Sequence, residues 1–489
     1  MGFTTEENFQ AVRLGKTALR HFDSADGIPF PFTASLFTKE QIDGLKEENL
    51  TRFESLAYHS IMSAITSHPE IISERTVLVL SSTKGNVGVL QDTENDKNII
   101  NLGEAARKIS DKIGLSQSPI VVSNACISGV SAIILATRLI DADKTDNVIV
   151  CGVDEQSPFI ISGFESLKAL SESECRPFDI ERLGLNLGEA AATLVLSKQN
   201  REDCWQIADG IIRNDGFHIS SPSPKGEGAF QTLSKILEGT SIDDIAVVNA
   251  HGTATMYNDQ MESKAISRAG LSEVPANALK GYFGHTMGAA GVLETILTMR
   301  SVSEGIVLGT RNFEELGVSG KVNLSSSEQQ TNKSSFVKMI SGFGGGNASI
   351  LVSRNYKSER KQLKNQFKIS HRVILTQDSL SVDGESVKVE HSGDKLLTAL
   401  YKEHLGDYPK FYKMDSLSKL GFIASEILLR TENAKDIENT PSRGIAFFNS
   451  HASYGTDMAY VDTIRDKDNF FPSPSLFVYT LPNIVTGEL

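Results

Sequence analysis

Apolar, β-branched runs alternate with helical patterns of apolar residues along positions 1–355. Strands are predicted from continuous apolar runs at 76–82, 119–124, 147–152, 191–197, 245–250, 337–343 and 348–353. Helices are predicted between them at 53–66, 127–141, 258–269 and 287–301. This alternation indicates βαβ units with mainly parallel strands. Because the strand runs are apolar throughout, both faces of the sheets should be covered.

The pattern changes after the last of these strands. The segment KSERKQLKNQFK (357–368) is charged and has no apolar face, so it is interpreted as a linker. Beyond it, HRVILTQDSLS (371–381) is a candidate strand, and further stretches repeat an earlier helix–strand pattern. The matching pairs are 53–65 with 414–428 and 76–82 with 444–450. Residues 370–489 are therefore either a partial repeat of the N-terminal unit or an unrelated α/β appendage.

Composition narrows the class of protein. The chain has 489 residues, of which 40% are hydrophobic and 22% charged, as in soluble globular proteins. No apolar run approaches the ~18 residues of a membrane span, and the start lacks a secretory signal, so a cytoplasmic protein is expected. The net charge of −13 argues against nucleic acid as a partner. The four cysteines lack the close spacing of a metal site, so no metal is predicted.

The first candidate site is SNACISGVSAI (123–133), in which a strand runs into Cys126 and small residues follow. This pattern predicts a sharp strand-to-helix turn that presents the thiol at a helix N-terminus. Amide dipoles there should lower the pKa of the thiol, and the small neighbours leave room for an acyl group. A buried structural cysteine is the alternative for a lone cysteine, and it is the interpretation for the other three.

Two histidines lie in sequence contexts comparable to that of Cys126. VVNAHGTATMYNDQMES (247–263) places His251 at the end of a buried strand, where sites collect in α/β proteins. LKGYFGHTMGAAGVLE (279–294) places His285 before a small-residue helix, between Lys280 and Glu294. Either histidine alone is more often a satisfied polar residue. The glycine-rich turn in MISGFGGGNASILV (339–352) alone indicates only a hairpin.

In this order, ACISG, NAHGTAT with NDQMES, LKGYFGHTMGAAG and GFGGGN, together with RPFDIERLGLNLGEAAATLVL (176–196), resemble the β-ketoacyl-acyl-carrier-protein synthases. These are the elongating condensing enzymes of the thiolase-like superfamily. The resemblance implies an α/β fold with thiolase-like αβαβα layers built from two related halves. The implied domains are 1–200 with the nucleophile, 201–355 with both catalytic histidines, a basic linker at 356–369, and a partial, non-catalytic synthase-like unit at 370–489.

The resemblance also implies roles for the candidate catalytic residues. Cys126 would take the acyl chain from the phosphopantetheine of a carrier protein. His251 and His285 would drive decarboxylation of the malonyl group and stabilise the resulting enolate. Lys280 and Glu294 match the family's lysine before the second histidine and its glutamate after it.

Substrate contacts follow from the same resemblance. Thr253 and Thr255 match the threonines that hold the phosphopantetheine arm. Phe343 matches the gating aromatic, and its N–H with that of Cys126 would form the oxyanion hole. Gly344 and Gly345 continue this substrate-binding turn. No cofactor is implied beyond the phosphopantetheine that the acyl carrier protein brings.

This set of side chains suits decarboxylative Claisen condensation. A thiolate is both a good nucleophile and a fair leaving group, preorganised N–H donors stabilise an oxyanion, and two neutral imidazoles suit an enolate. The related initiating synthases have asparagine where His285 stands. A coenzyme A thiolase, one alternative, would carry a second cysteine, and none lies between 205 and 489. A non-catalytic chain-length-factor-type subunit, the other alternative, would lack Cys126.

The implied partners are an acyl carrier protein and a second subunit, in a homodimer or in a heterodimer with another synthase-like chain. Lys46 and Arg52 are the candidate contacts for the acidic carrier. Fatty-acid biosynthesis and a polyketide-like pathway, such as that of aryl polyene pigments, both fit. The fused C-terminal unit favours the second.

The chain departs from the family in three places. The first core strand of the family is missing, and 371–381 is a candidate replacement. Ser341 stands where the family often has a phenylalanine. The stretch 85–115 lacks the family's proline-rich SPF-type segment, which FPSPSLFVYTLPNIVTGEL (471–489) resembles. Residues 370–489 contain no cysteine, so they are expected to be structural and to have no chemistry of their own. They are rich in large apolar residues, so they are expected to pack on the synthase core or on a partner.

Overall fold

A computed structural model describes residues 1–91, 97–199, 204–355, 368–431 and 443–489. The strands in chain order are β1 (Arg20–Phe22), β2 (Phe32–Ser35), β3 (Thr76–Ser81), β4 (Ile120–Val122), β5 (Asn147–Asp154), β6 (Leu187–Gly188), β7 (Ala190–Ser197), β8 (Gln206–Asn214), β9 (Ile245–Asn249), β10 (Pro275–Asn277), β11 (Ile306–Val307), β12 (Asn323–Leu324), β13 (Gln329–Gln330), β14 (Ser335–Ser341), β15 (Gly346–Ser353), β16 (Val373–Leu375), β17 (Leu380–Val382) and β18 (Glu385–Val387).

The α-helices are α1 (Thr5–Arg13), α2 (Lys39–Gly44), α3 (Arg52–Ile65), α4 (Leu102–Lys112), α5 (Ser128–Asp141), α6 (Pro158–Ser166), α7 (Glu227–Ile236), α8 (Met256–Arg268), α9 (Lys280–Phe283), α10 (Ala290–Ser303), α11 (Gly393–Leu400), α12 (Ser416–Thr431), α13 (Tyr454–Asp462), α14 (Pro474–Tyr479) and α15 (Ile484–Gly487). Short 3₁₀ helices lie at Pro69–Ile71, Val87–Gln91, Lys97–Ile100, Ile242–Asp244, Met287–Ala289, Phe343–Gly345 and Pro409–Lys413, and a π-helical turn at Tyr401–Leu405.

The first core sheet has the strand order β4-β3-β5-β7. The first three strands are parallel, and β7 runs antiparallel to β5 at the edge. All six residues of β3 are buried because helices cover both faces of the sheet. One of these helices, α3, begins with a capping box, in which Thr51 and Glu54 each bond the other's backbone N–H. The outer face packs on α3 and α4.

The second core sheet has six strands in the order β12-β10-β9-β14-β15-β8. Strands β12, β10, β9 and β14 are parallel, whereas β15 and β8 form an antiparallel edge. Apolar residues of α7 and α8, among them Leu233 and Ile266, cover its outer face. The sequence pattern did not predict β8, because none of its residues is fully buried and its apolar run is short.

Helices α5 and α10 lie between the two sheets and share one apolar cluster with both. Small residues let these helices touch. A Cβ atom on Gly129 would lie 3.0 Å from Gly291 Cα, and one on Gly291 would lie 2.6 Å from Val130 N. The resulting order of layers is helix, sheet, helix, sheet, helix. The predicted thiolase-like αβαβα fold class is therefore confirmed, whereas the exact domain boundaries remain a prediction.

The C-terminal region forms a small unit with its own apolar core. Strands β16, β17 and β18 make an antiparallel sheet that packs with α11 and α12. The predicted replacement of the missing core strand is therefore wrong, because Val373–Leu375 pairs with Leu380–Val382 instead of joining a core sheet. The predicted strand at 444–450 is also wrong: residues 443–450 contain no strand, and Ile445 and Phe448 are exposed rather than buried between layers.

The end of this unit packs on the synthase-like core. Tyr460 and Phe477 join an apolar cluster with Phe159 of α6. A buried ion pair of Lys84 with Asp457, at 2.6 Å, links the two parts. Most of the predicted linker at 356–369 lies outside the described residues, which resume at 368. None of the described helices is both long and apolar enough to cross a membrane.

Candidate active site

Cys126 lies in the tight turn that joins β4 to α5. Ala125, immediately before it, has a left-handed backbone with φ of 45°, which lets the chain reverse within a few residues. The Ser128 hydroxyl holds the turn by accepting from the N–H of Asn124 at 2.7 Å and donating to Ala125 O. The structure thus contains the strand-to-helix turn expected around Cys126.

The environment of the thiol differs from the expectation. Burial raises the pKa of Cys126 to about 12, although Lys280 and the N–H groups of Cys126 and Phe343 favour the thiolate. The expected lowering of the thiol pKa by the helix N-terminus is therefore wrong, because loss of water outweighs the amide dipoles. The resting side chain is a neutral thiol, and the two N–H groups are directed toward its sulfur.

His251 follows β9 and is held by its backbone. Its N–H and that of Gly252 donate to the two oxygens of Glu262, each at 2.7 Å. Its carbonyl accepts from Lys280 Nζ at 2.6 Å. The imidazole Nδ1 is buried and has no hydrogen-bond partner among the described residues. The ring is therefore positioned through the main chain, and its polar edge remains available to a ligand.

His285 follows α9 and has a defined tautomer. Its backbone N–H donates to Asn186 O at 2.7 Å, and its Nδ1 accepts from the N–H of Met287 at 3.3 Å. Because Nδ1 accepts, the ring proton lies on Nε2, which is buried and lacks a partner among the described residues. His285 therefore offers a free N–H donor.

The structure brings Cys126, His251 and His285 together. Their thiol and ring-nitrogen atoms lie within 4.8 Å of one another, and the two imidazole rings are nearly perpendicular, with centroids 5.0 Å apart. Burial, followed by the positive charges of Lys280 and Lys338, holds the pKa of both histidines well below its usual range. Both rings are consequently neutral at neutral pH.

A carboxylate between two lysines lies beneath this cluster. Glu294 Oε1 accepts from Lys280 Nζ at 2.8 Å, and its other oxygen accepts from Lys338 Nζ. All three side chains are buried. Burial alone would raise the pKa of Glu294, but the two ammonium groups outweigh it and hold that pKa below its usual value. Lys280, Lys338 and Glu294 together carry a net positive charge next to the histidines.

Lys338 was not singled out from the sequence. The sequence feature that could have revealed it is a lone lysine among the apolar residues of SFVKMIS, between two serines. A lysine in a buried strand requires a carboxylate partner. Two buried carboxylates were also missed. Glu262 orients His251 as described above. Asp154 accepts from the N–H of Gly288 at 2.6 Å and so holds the loop that fixes the ring of His285.

The other predicted residues surround the cluster. Thr253 is buried and Thr255 half-buried, and their hydroxyl oxygens lie 2.9 Å apart on the loop after His251. Phe343 is half-buried and stacks on Phe164 at 5.9 Å. Gly344 and Gly345 follow it, both with left-handed backbones. A Cβ atom on Gly342 would lie 3.2 Å from Cys126 N, so the glycine turn lies against Cys126.

The two candidate carrier contacts lie in different environments. The Arg52 guanidinium bonds the carboxylate of Glu189 at 2.6 Å and lies 3.6 Å from that of Glu155. Its charge is already balanced within the fold, so Arg52 is unsuited to bind an acidic carrier. Lys46 is exposed.

Among the described residues, the cluster of Cys126 with the two histidines is the one group of side chains with the spacing of metal ligands. Its surroundings oppose a cation. Lys280 and Lys338 are buried beside it, and burial strengthens the repulsion between their charge and a divalent ion. The arrangement is better suited to an anion that forms between the thiol and the imidazoles.

Family models match both halves of the core. The model of the beta-ketoacyl synthase N-terminal domain matches residues 52–202, and that of the C-terminal domain matches residues 206–314. Together these ranges contain Cys126, both histidines, Lys280 and Glu294.

Curated relatives agree with these models. The chain is 28% identical over 360 residues to a putative mitochondrial 3-oxoacyl-[acyl-carrier-protein] synthase of Schizosaccharomyces pombe, an alignment that covers 64% of this chain and 84% of the relative. It is 32% identical over 276 residues to 3-oxoacyl-[acyl-carrier-protein] synthase 2 of Rhizobium meliloti, with 52% and 65% covered. It is 28% identical over 268 residues to the tetracenomycin polyketide synthase ketoacyl synthase alpha subunit of Streptomyces glaucescens, with 51% and 63% covered. The chain thus spans slightly less than two thirds of the last two relatives.

Solved structures share the fold. The ketosynthase ApeO, in complex with its chain length factor ApeC, from Xenorhabdus doucetiae is 26% identical, with a TM-score of 0.61 and coverage of 72% of this chain and 94% of that one. A beta-ketoacyl synthase from Burkholderia phymatum is 24% identical, with a TM-score of 0.64 and coverage of 72% and 96%. The second likeness concerns the fold alone.

Proposed function

The chain belongs to the β-ketoacyl synthase family of the thiolase-like superfamily, whose members are acyltransferases, and on this premise we propose that it catalyses decarboxylative Claisen condensation. In this reaction an acyl group on Cys126 is joined to a malonyl group on an acyl carrier protein. The observation that carries the proposal is the buried cluster of one thiol and two neutral imidazoles, within 4.8 Å of one another.

The first half-reaction loads the enzyme. The Cys126 sulfur attacks the carbonyl of the carrier-bound thioester, and the N–H groups of Cys126 and Phe343 stabilise the oxyanion. The carbon–sulfur bond to phosphopantetheine then breaks. The proton of Cys126 passes by way of a neutral imidazole to the departing thiolate, so the two thioesters exchange without a net change in charge.

The second half-reaction forms the carbon–carbon bond. The bond between the malonyl carboxylate and its methylene breaks, CO₂ leaves, and the electron pair becomes an enolate on the thioester. The Nε2–H of His285 and the ring of His251 stabilise this enolate oxygen. The enolate carbon attacks the acyl carbonyl on Cys126, and collapse of the tetrahedral intermediate expels the Cys126 thiolate. The thiolate takes a proton from an imidazole N–H, and the imidazole recovers that proton from solvent.

The buried charges support the second half-reaction. Lys280, Lys338 and Glu294 add a net positive charge beneath the histidines, which stabilises the negative charge as it moves from the malonyl carboxylate to the enolate oxygen. The hydroxyl groups of Thr253 and Thr255 lie on the loop after His251 and would hold the phosphopantetheine arm. No cofactor other than this carrier-borne arm is required by these steps.

Mass spectrometry of the acyl group on Cys126, after incubation with carrier-bound primers, tests the proposal. We expect an acyl adduct on the wild-type protein and none on Cys126→Ala. Cys126→Gln should lose condensation but retain CO₂ release from malonyl carrier, because the amide resembles an acylated thiol. An adduct on Cys126→Ala would refute the assignment of the nucleophile.

Two other activities are tested by the same assay. Acylation from a free coenzyme A thioester in preference to a carrier would favour a thiolase. Absence of acylation with every primer would favour a non-catalytic chain-length-factor-type subunit, although the free thiol of Cys126 argues against this role.

A polyketide-like pathway, such as that of aryl polyene pigments, is the preferred setting over fatty-acid elongation. The likeness to the tetracenomycin polyketide synthase subunit supports a polyketide-like pathway, and the likeness to ApeO, which was solved with its chain length factor, supports a heterodimer with a second synthase-like subunit. A homodimer is the alternative. Polyunsaturated products on the carrier, rather than saturated ones, would support the pigment pathway when the partner reductase and dehydratase are supplied.

A further inference from the structure

The end of the C-terminal unit covers the turn that faces the nucleophile. Val478, Leu481 and Ile484 are buried in one apolar cluster with Ala125, the residue immediately before Cys126, and with Phe343. A Cβ atom on Gly487 would lie 2.7 Å from Gly344 O, so the two backbones approach closely. A unit without chemistry of its own therefore forms part of the wall of the candidate active site.

Asn483 makes the one side-chain hydrogen bond from this segment to the glycine turn that the described residues show. Its Nδ2 donates to Phe343 O at 2.8 Å, and the side chain is buried. The next N–H along the turn, that of Gly344, donates to Ile219 O at 2.6 Å. The peptide group between Phe343 and Gly344 is thus held on both sides, by Asn483 from the C-terminal unit and by Ile219 from the core.

The turn needs such support because its own sequence is permissive. Gly344 and Gly345 have φ of 81° and 72°, a conformation that glycine adopts readily but does not select over others. Within the turn, the N–H of Gly342 donates to Gly346 O at 2.9 Å. That hydrogen bond closes the turn, but it does not involve the Phe343–Gly344 peptide group.

From these contacts we infer that Asn483 is a positioning residue for acyl transfer and that the C-terminal unit completes the catalytic site. Asn483 acts through the Phe343 peptide. By holding the carbonyl of Phe343 it fixes the rotation of that residue, and hence the direction of the Phe343 N–H toward the Cys126 sulfur. The inference rests on the proposed function, because this N–H matters only if an oxyanion forms beside Cys126.

The two half-reactions separate this role from a general effect on stability. Acylation of Cys126 uses the N–H of Phe343, whereas CO₂ release from malonyl carrier uses the two histidines, which Asn483 does not contact in the described structure. Loss of a single oxyanion donor lowers the rate by about 10²–10³-fold. Misdirection of the donor, rather than its loss, should lower the acylation rate by about tenfold or more.

The experiment uses the full-length protein with Asn483→Ala, which removes the donor, and Asn483→Asp, which replaces it with an acceptor of the same shape. The rate of Cys126 acylation at saturating acyl carrier and the rate of CO₂ release from malonyl carrier are measured on the same preparations. The second rate also reports the fraction of folded sites. Asn214→Ala is the matched control, since Asn214 Nδ2 donates to Thr486 O at 2.9 Å across the same interface but does not bond the carbonyl of Phe343.

We expect both Asn483 variants to lose acylation relative to CO₂ release by about tenfold or more, while Asn214→Ala keeps the wild-type ratio. A wild-type ratio in the Asn483 variants would overturn the inference. Equal loss of both rates, with a lower Tm, would also overturn it, because the role would then be structural. Wild-type protein that never acquires an acyl group would instead refute the proposed function.

Discussion

Replacement of Glu294 by alanine should destabilise the protein far more than its loss of volume requires. The Glu294 carboxylate is buried and bonded to Lys280 and Lys338, which are also buried. Alanine would leave two buried ammonium groups without the carboxylate that bonds them both. Removal of one partner of a buried ion pair costs about 3–5 kcal/mol, and here one carboxylate serves two cations, so the upper end of this range is expected.

Urea unfolding followed by near-ultraviolet circular dichroism measures this change as a shift of the first cooperative transition. Glu165→Ala is the matched control. Its partner Lys168 is exposed, so loss of that ion pair should cost no more than about 1 kcal/mol. A further substitution, Lys338→Met, should restore part of the stability lost in Glu294→Ala, because it removes one of the two unpaired charges. If Glu294→Ala unfolds at the same urea concentration as Glu165→Ala, the proposed charge network does not exist.

Three further predictions concern the histidines and the C-terminal unit. His285→Ala should abolish CO₂ release while it spares acylation of Cys126, and normal CO₂ release in this variant would contradict the enolate mechanism. The pKa of both histidines in the folded protein lies well below about 6.5, so the unfolded chain binds more protons below that pH. As the pH falls below about 6.5, the free energy of unfolding should therefore decrease by up to about 1.4 kcal/mol per pH unit for each ring. His285→Asn should reduce this dependence in unfolding measured from pH 5 to 7. Lys84→Met should leave buried Asp457 unpaired and accelerate proteolysis within residues 443–489, whereas an unchanged cleavage rate would show that the ion pair does not hold the unit in place.

Much of the core could be predicted from the sequence because its signals are local. Continuous apolar runs mark strands covered on both faces, and the expected helix at 53–66 is observed at Arg52–Ile65. Cys126, His251 and His285 each lie at a tight turn at or beyond the end of a buried strand or short helix, and all three positions carry recognisable motifs. Their proximity could be inferred from the family resemblance rather than from spacing alone, since they are far apart along the chain.

The features that could not be predicted depend on contacts distant in sequence. The pKa of Cys126 is set by burial beneath other elements, which a local pattern of a helix N-terminus does not reveal. Lys338 is recognisable as unusual within its strand, but its partner Glu294 lies on a different element. The stretch 444–450 has the composition of a strand yet no neighbouring strand to pair with, and strand formation requires such a neighbour.

The packing of the C-terminal segment shows how residues distant in sequence can contribute to one turn. Val478, Leu481 and Ile484 pack against Ala125 and Phe343, which are more than 130 residues earlier in the chain. The turn at Phe343 needs neighbouring side chains to pack on it, and these can come from any part of the sequence. The entropic cost of closing a longer loop grows by only about 0.6 kcal/mol for each doubling of its length. The buried Lys84–Asp457 pair and the packing of Phe477 on Phe159 and Phe164 can offset such a cost, so a distant segment can still be held against this turn.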